Sequence, residues 1–526
     1  MSVGAVLFHG GRIHVGDGGS ADALLARNGR VAAVGRVSDL AGEAGRAERV
    51  DLHGGLMVPG WGDAHVHFVW WAMQQRRVDV SDTTSVAEAL ERVASHARAL
   101  PADRWILGGR FDKNRWGRWP SARELDRVSG GRPAALRSRD GHSRWLNSRA
   151  LELAGIRPGT ASPAGGMVEV DAHGEPTGIL KENANALVDR VLPQPDADER
   201  YEAAVEGQRE AWRRGITAIC DLDNFAGTIP LDAFERMRGR GELGLRVAMG
   251  LPHSRLDEAI ALGLRTGFGD EWLRIGQLKI FTDGALGSQT AALEEPFEGS
   301  DDRGILTIEP DRLNADVARA AAAEIAVAIH AIGDRAVRVA LDAIEATRRA
   351  APHLRQRIEH IQLVRDDDLG RFGELGVIAS MQPIHATSDR DLADRYWGPR
   401  RTPRAYPWRT LRARRAVLAF GSDAPVEPID PLLGIHAAVA RMRPGDEAAW
   451  HPEQALTLEE ALHGYGAGVA YAIGRDRDLG TLEVGKRCDA TVVDTDLARI
   501  PPAEWPGVAV TATVTDGVVR FADGIG

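Results

Sequence analysis

Two histidines one residue apart, His65 and His67, directly follow an apolar run in the segment GGLMVPGWGDAHVHFVW. In a β-strand alternate side chains point to the same side, so both imidazoles would project from one face. Two imidazoles on one face can chelate a metal ion, although hydrogen-bonded core or surface histidines show the same spacing. Residues elsewhere in the chain must therefore decide between the two interpretations.

Other side chains that can bind a metal also follow apolar runs. They are Lys279 in QLKIFTDG, His330 in VAIHAIGD, His360 in RIEHIQ and Asp423 in AFGSDAP. Taken singly, each histidine fits a hydrogen-bonded core residue and Asp423 fits a turn, whereas a buried Lys279 without a partner would be costly. Taken together, these groups would repel one another or stay unsatisfied at one site without a cation. The histidine pair and these four residues therefore predict a metal centre.

The elements that must position these side chains are strands separated by amphipathic helices. Eight apolar runs of strand length occur, and helical stretches such as RAVRVALDAIEATRRAA separate most of them. The runs are LMVPGWGDAHVHF, GITAICDLDNF, LGLRVAMGL, LRIGQLKIFTDG, EIAVAIHAIGD, QRIEHIQLV, GVIASMQPIH and RAVLAFGSDAP. Near-continuous apolar strands favour an α/β fold with a parallel (β/α)8 barrel, in which chemistry takes place at the carboxyl ends of the strands.

The chain is predicted to divide into three parts. Both ends are rich in short strands, with two-residue turns at Asn28-Gly29 and Asp516-Gly517, which favours one sheet domain assembled from both termini. The long segment after the first barrel strand exceeds a single crossover and predicts an inserted subdomain with strands, a helix and a hairpin-like ribbon. The predicted parts are the terminal sheet domain at 1–57 and 476–526, the barrel at 58–70 and 212–475, and the inserted subdomain at 71–211.

The composition is that of a soluble globular protein. The 526 residues carry a net charge of -10 and are 44% hydrophobic and 27% charged. Without an excess of Lys and Arg, no nucleic-acid or anionic-membrane partner is expected. The sequence shows no secretory signal or bilayer-spanning apolar run, and Cys220 and Cys488 fit buried reduced thiols. A cytoplasmic location is therefore expected.

Eight motifs carry a resemblance to a known family. They are PGWGDAHVHF, LRSRDGHSRWLNSRAL, KIFTDGALGSQTAAL, HAIGDRAVRVAL, RIEHIQL, ASMQPIHAT, FGSDAPVEPIDPLLGIHAAVAR and GTLEVGKRCDATVVD. In this order they resemble the amidohydrolase superfamily. More closely, they resemble the amidohydrolase family 3 group, which contains YtcJ-like proteins and N-substituted formamide deformylase. The resemblance covers nearly the whole chain, and the joint order of the motifs is specific.

The resemblance implies a distorted TIM barrel, a composite β-sandwich domain from both termini and an inserted α+β subdomain over the active site. It also implies one or two divalent metal ions per chain, with zinc expected. The implied ligands are His65, His67 and Asp423 for the more buried ion, His330 and His360 for the second ion, and Lys279 as a carbamate that bridges them. Desolvation near cations lowers a lysine pKa, which supplies the neutral amine that captures carbon dioxide.

The reaction that the resemblance implies is hydrolysis of a non-peptide carbon–nitrogen bond in a small molecule, such as an N-substituted formamide or N-acyl amine. Hydroxide activated by the metal would be the nucleophile, and Asp423 would shuttle its proton to the departing nitrogen. His142 in RDGHSRW and His385 in MQPIHAT are assigned to substrate binding, although a hydrogen-bonded structural role explains each about as well. A homodimer is compatible with the sequence.

Two other functions are compatible with the sequence. A mononuclear amidohydrolase-type deaminase would typically use a glutamate near strand five, and VAIHAIGDRA supplies no His-x-x-Glu. A catalytically silent scaffold could keep the barrel without turnover, but every expected ligand position is filled. Metal content and hydrolytic turnover distinguish the three functions.

Overall fold

The computed structural model describes residues 4–16, 18–139, 141, 143–163, 166–223 and 230–525. The chain divides into two compact units. One contains Met1–Val69 and Ala204–Gly526, and the other contains Trp70–Ala203. The chain passes between them within the helices Phe68–Gln75 and Ala197–Arg213.

Within the described residues of the larger unit, eight parallel strands form a sheet that is nearly closed into a barrel. Named barrel strands one to eight in chain order, they are Trp61–Val66, Ile216–Asp221, Arg246–Pro252, Leu273–Phe281, Val327–Ala331, Arg357–His360, Ile378–Met381 and Val417–Phe420. Each strand pairs with the next one along the chain. Strands one to three are buried along their whole length, as expected for parallel strands covered on both faces. The predicted barrel is confirmed.

Helices between the strands cover the barrel. Asp334–Arg348, which follows strand five, buries Val337, Ala340, Leu341 and Ile344, and this three-to-four-residue spacing defines its core-facing stripe. The helices described wholly within this unit are Val37–Ala44, Leu231–Gly239, Leu256–Ala261, Pro310–Ala322, Asp334–Arg348, Arg371–Leu375, Pro383–Ser388, Arg390–Tyr396, Trp408–Ala413, Pro431–Ala440, Leu458–Tyr465 and Ala467–Ala472.

Strands one and eight meet at the seam of the barrel. At the carboxyl end of strand one, the N–H of Asp423 donates to the carbonyl of His65 at 2.7 Å, and the N–H of His67 donates to the carbonyl of Ala424 at 2.9 Å. The segment with the two histidines is therefore held directly against the segment with Asp423.

A second sheet combines both chain ends. Its described strands are Val6–Gly16, Gly19–Arg27, Arg30–Gly35, Glu48–Asp51, Leu56–Pro59, Ala490–Val493, Val510–Thr515 and Val518–Ala522. The ends are joined where Leu56–Pro59 pairs antiparallel with Ala490–Val493. The two predicted turns are confirmed, because their central residues all have positive φ. The φ angles are 51° at Asn28 and 78° at Gly29 in the first turn, and 51° at Asp516 and 68° at Gly517 in the second. The predicted fold class is thus confirmed, while the boundaries of the three predicted parts stay a prediction.

The smaller unit contains a mixed sheet and short helices. Its described strands are Val78–Asp79, Ile106–Phe111, Ala134–Ser138, Ser143–Leu146, Gly166–Val170 and Pro176–Glu182. Its described helices are Val86–Ala99, Lys113–Trp116, Ala122–Ser129, Ser148–Leu153 and Ala186–Asp189. The last two strands pair antiparallel and form the hairpin-like ribbon that the sequence predicts.

The structure bears on two further expectations from the sequence, the state of the cysteines and the presence of membrane-spanning helices. Cys220 and Cys488 are both buried and unbonded, which confirms the prediction of reduced thiols. Among the residues that the structure describes, no helix has both the length and the apolar character required to cross a membrane.

Candidate metal centre

The barrel brings most of the predicted site residues together at the carboxyl ends of its strands. Among the described residues, two groups have potential ligand atoms within 4.8 Å of one another, and Asp423 belongs to both. One group adds His65 and His67, and the other adds His360 and His385. The candidate centre therefore spans strands one, six and eight and the helix that follows strand seven.

The first group lies around Asp423 at the seam. The Oδ1 atom of Asp423 is 3.4 Å from His65 Nε2 and 3.3 Å from His67 Nε2. On strand four, Lys279 is 1% exposed, and its Nζ atom is 3.4 Å from His65 Nε2. The histidine pair of the sequence thus faces the same small volume as the lysine and the aspartate.

The second group extends the centre toward strands six and seven. The His360 ring lies 4.8 Å from the His65 ring between centroids, and the Nδ1 atom of His360 is 2.8 Å from Gln382 Oε1. The Nε2 atom of His385 is 3.7 Å from Asp423 Oδ2 and has no hydrogen-bond partner among the described residues. An imidazole nitrogen buried in this way fits a ligand that the protein itself does not supply.

His330 lies next to this cluster but outside both groups. Its ring is 4.5 Å from the His360 ring, while its Nε2 atom is 2.9 Å from the carbonyl oxygen of Gly284 and 3.4 Å from Asp283 Oδ1. Because a carbonyl only accepts, Nε2 carries the proton in this arrangement and donates to Gly284. The ligand role of His330 stays a prediction, and His142 lies outside the described residues.

Unusual backbone dihedrals aim two of the side chains. His360 has φ of 74° and Asp423 has φ of 58°, in the left-handed region that non-glycine residues rarely adopt. The kink at His360 breaks the alternation of strand six, so the consecutive residues Glu359 and His360 both reach His65. Such strain is typical of functional sites.

Burial and mutual charge shift the ionisation of the cluster. Burial lowers the pKa of Lys279 to about 8, and burial together with the charge of Lys279 lowers the pKa of His65 to about 4. Burial and the neighbouring His330 hold the pKa of His360 well below its usual range. Burial alone would raise the pKa of Asp423, but the surrounding histidines hold it well below its usual range. Neutral imidazoles around an ionised carboxylate are the protonation states that ligate a metal.

The donor set fits a divalent cation of the zinc class. Imidazole nitrogens and carboxylate oxygens are the usual ligands of catalytic zinc. Nδ1 of His65 donates to Glu359 and Nδ1 of His360 donates to Gln382, so in both rings Nε2 is the unprotonated nitrogen. These nitrogens and the unpartnered Nε2 of His385 lie around a single carboxylate.

The sequence analysis missed three neighbours of the centre, and two of them carry a signal in the sequence. Asp63 precedes His65 by two residues, and Phe281 follows Lys279 by two, so the period of a strand places each pair on one side. Phe281 is 40% exposed, and its ring lies 5.1 Å from His330. Glu359 directly precedes His360 in the chain, but only the kinked backbone brings it to the same side.

Comparisons with known proteins agree with this geometry. The profile of the amidohydrolase family matches residues 48–521. The chain is 30% identical to the putative amidohydrolase YtcJ of Bacillus subtilis (strain 168), over 98% of this chain and 99% of YtcJ. It is 29% identical to the N-substituted formamide deformylase of Arthrobacter pascens, over 95% of each protein.

Solved structures show the same architecture. An uncharacterized metal-dependent hydrolase from Pyrococcus horikoshii OT3 superposes with a TM-score of 0.80 at 29% identity, over 95% of this chain and 99% of that chain. The family match begins before the first barrel strand and ends within the last strand of the terminal sheet. From its sequence match and its fold, this chain belongs to the amidohydrolase family.

Proposed function

We propose that this protein is a metal-dependent hydrolase that cleaves a non-peptide amide bond in a small molecule. An N-substituted formamide or related N-acyl amine is the proposed substrate class. The convergence of His65, His67, His360 and His385 on Asp423 carries the proposal. Similarity to an N-substituted formamide deformylase over 95% of the chain supports the substrate class.

The proposed ligands of a divalent ion, with zinc expected, are His65, His67 and Asp423. For a second ion the distances favour His360 and His385, whereas the family resemblance implies His330 beside His360. A bound ion would supply a Lewis acid that acidifies water and polarises the amide carbonyl.

Lys279 is proposed to bind in carbamate form. Its Nζ atom is buried 3.4 Å from His65 Nε2, where an ammonium would oppose a cation. Addition of carbon dioxide to the neutral amine forms a nitrogen–carbon bond, releases a proton and leaves an anionic group. The side chain would then contribute an oxygen ligand in place of a positive charge.

Asp423 is proposed to move the proton of the reaction. Its carboxylate would accept a proton as water adds to the carbonyl carbon and would return it to the nitrogen as the carbon–nitrogen bond breaks. For a formamide, one water is consumed and the products are formate and an amine. If His330 rather than His385 holds the second ion, His385, whose Nε2 atom is 3.7 Å from Asp423 Oδ2, is proposed to bind the substrate.

Metal stoichiometry tests the proposal first. The chain would be purified without chelator in the presence of bicarbonate, analysed for its elements, and assayed against a panel of N-substituted formamides and N-acyl aryl amines. We expect about two divalent ions per chain and release of formate or another carboxylate.

A matched pair of variants controls this experiment. His67→Ala removes a proposed ligand, whereas His353→Ala removes a half-exposed histidine that forms an ion pair with Glu324. Metal loss in the first variant alone is expected. One ion per chain would favour a mononuclear enzyme, and no ion after metal loading would favour the scaffold.

A further inference from the structure

A buried ion pair lies directly beside the candidate metal centre. Arg357 and Glu359 are both 0% exposed, and their spacing places them on the same side of barrel strand six. Arg357 donates from Nε to Glu359 Oε1 at 2.5 Å and from Nη2 to Glu359 Oε2 at 3.0 Å. The two parallel hydrogen bonds fix the plane of the carboxylate.

Arg357 is itself held by three other barrel strands. Its Nη2 atom donates to the carbonyl of Ala64 at 2.5 Å and to Ser380 Oγ at 2.7 Å, and its Nη1 atom lies 3.5 Å from Cys220 Sγ. These contacts reach strands one, seven and two. The guanidinium therefore has little freedom, and neither has the carboxylate that it holds.

The remaining contact of Glu359 is with a proposed metal ligand. Glu359 Oε2 is 2.7 Å from His65 Nδ1. An ionised carboxylate can only accept, so His65 carries its proton on Nδ1 and leaves a lone pair on Nε2. That Nε2 atom is the one that faces Asp423 and Lys279, each at 3.4 Å.

We propose that Glu359, clamped by Arg357, is a positioning residue that fixes the tautomer and the ring orientation of His65 and thereby sets the metal affinity of the centre. This inference rests on the metal-dependent hydrolase proposed above. Replacement of such a partner of a ligating histidine typically weakens metal binding by about 10–100-fold. The fully buried pair is poorly explained by stability alone, because well-packed apolar side chains of similar volume are often at least as stable.

Glu359→Gln is the first test, with metal affinity measured by competition against a chromophoric chelator. Arg357 donates to both carboxylate oxygens of Glu359, whereas a glutamine side chain has only one oxygen that can accept. In the variant we expect the amide oxygen to face Arg357 and the amide NH2 to face His65 Nδ1. Because the NH2 group donates, Nδ1 must then accept, and the ring proton lies on Nε2. We expect the affinity for Zn2+ to fall by about 10–100-fold and the visible spectrum of the Co2+ form to change.

The paired variant Arg357→Met/Glu359→Leu covers the case in which an unpaired buried arginine prevents folding. It removes both charges together, so neither is left without a partner, and it also removes the acceptor for Nδ1. The same loss of metal affinity is expected. Asp489→Asn is the matched control, because Asp489 accepts two hydrogen bonds from the buried Arg246, at 2.8 and 2.9 Å, and its hydrogen-bond partners among the described residues include no proposed ligand.

The outcomes separate the inference from the function on which it rests. Weaker metal binding in the Glu359 variants, with unchanged binding in Asp489→Asn at a comparable loss of thermal stability, supports the positioning role. Affinity within twofold of the unmodified protein in a folded Glu359 variant overturns the inference and leaves the metal centre standing. Absence of metal binding in the unmodified protein overturns both.

Discussion

Ser422 Oγ donates a 2.5 Å hydrogen bond to Oδ2 of the buried Asp63, across the seam between barrel strands one and eight. The other oxygen of Asp63 accepts from the backbone N–H groups of Ser422 and His65, each at 3.0 Å. One carboxylate thus joins the segment with His65 to the segment with Asp423. The seam of the barrel and the candidate metal centre are held by the same side chain.

Ser422→Ala should destabilise the protein because a buried carboxylate oxygen loses its hydroxyl donor. The expected loss is about 1–3 kcal/mol in the free energy of unfolding, measured by urea denaturation. Ser148 offers a matched control, since it makes the same pair of contacts with Asp126, at 2.6 and 2.9 Å, on an exposed surface. Ser148→Ala should change stability by no more than about 0.5 kcal/mol. Equal effects at the two sites would contradict the role assigned to the seam.

Gly421→Ala should disrupt the same seam by steric conflict. A Cβ atom at this position would lie 2.5 Å from both Asp63 Oδ1 and the backbone nitrogen of His65. Overpacking of this kind costs about 1–3 kcal/mol, and we expect a lower melting temperature together with weaker metal binding. Gly42→Ala, at an exposed position of the helix Val37–Ala44 with open space around the new Cβ, should be neutral or stabilise by about 0.5–1 kcal/mol. A Gly421→Ala protein as stable as the Gly42→Ala protein would refute the close approach.

Asp423→Asn should remove turnover while it preserves the fold. The amide cannot accept the proton of the attacking water, so kcat should fall by about 10²–10⁴-fold for any substrate found in the panel. Circular dichroism and metal analysis of the variant would separate loss of proton transfer from loss of metal. Asp394→Asn, at an exposed residue that accepts from Trp450 Nε1 at 3.0 Å, serves as the control and should keep full activity. Comparable activity in both variants would count against the proton shuttle.

Neither cysteine should react with Ellman's reagent in the native protein. Burial raises the pKa of Cys220 to about 11 and raises that of Cys488 still further, so both thiols stay protonated at about pH 8. The thiolate is the reactive form, and both sulfurs are also shielded from the reagent. Titration should give no reactive thiol per native chain and two per chain in guanidinium chloride. A fast-reacting thiol in the native state would show that the environment of Cys220 or Cys488 is more open than the structure indicates.

Much of the fold follows from local sequence patterns. Near-continuous apolar runs specify buried parallel strands, and Asn28-Gly29 and Asp516-Gly517 specify tight turns because their residues tolerate positive φ. Metal-binding residue types, from His65 to Asp423, recur near the carboxyl ends of these runs. Because a parallel barrel brings the carboxyl ends of its strands to one face, this pattern predicts a single site. These signals depend only on neighbours in sequence.

The partners within the centre depend on tertiary structure. His385, on the helix after strand seven, comes within 3.7 Å of Asp423, whereas His330 bonds the carbonyl of Gly284 at 2.9 Å. The positive φ of His360 turns two consecutive side chains toward His65, against the alternation of a regular strand. The sequence alone thus determined a barrel with metal-binding residue types at its strand ends. The assembled barrel decided which nitrogen of each ring faces the centre, because that choice depends on hydrogen bonds between residues on different strands and loops, such as His65 with Glu359 and His360 with Gln382.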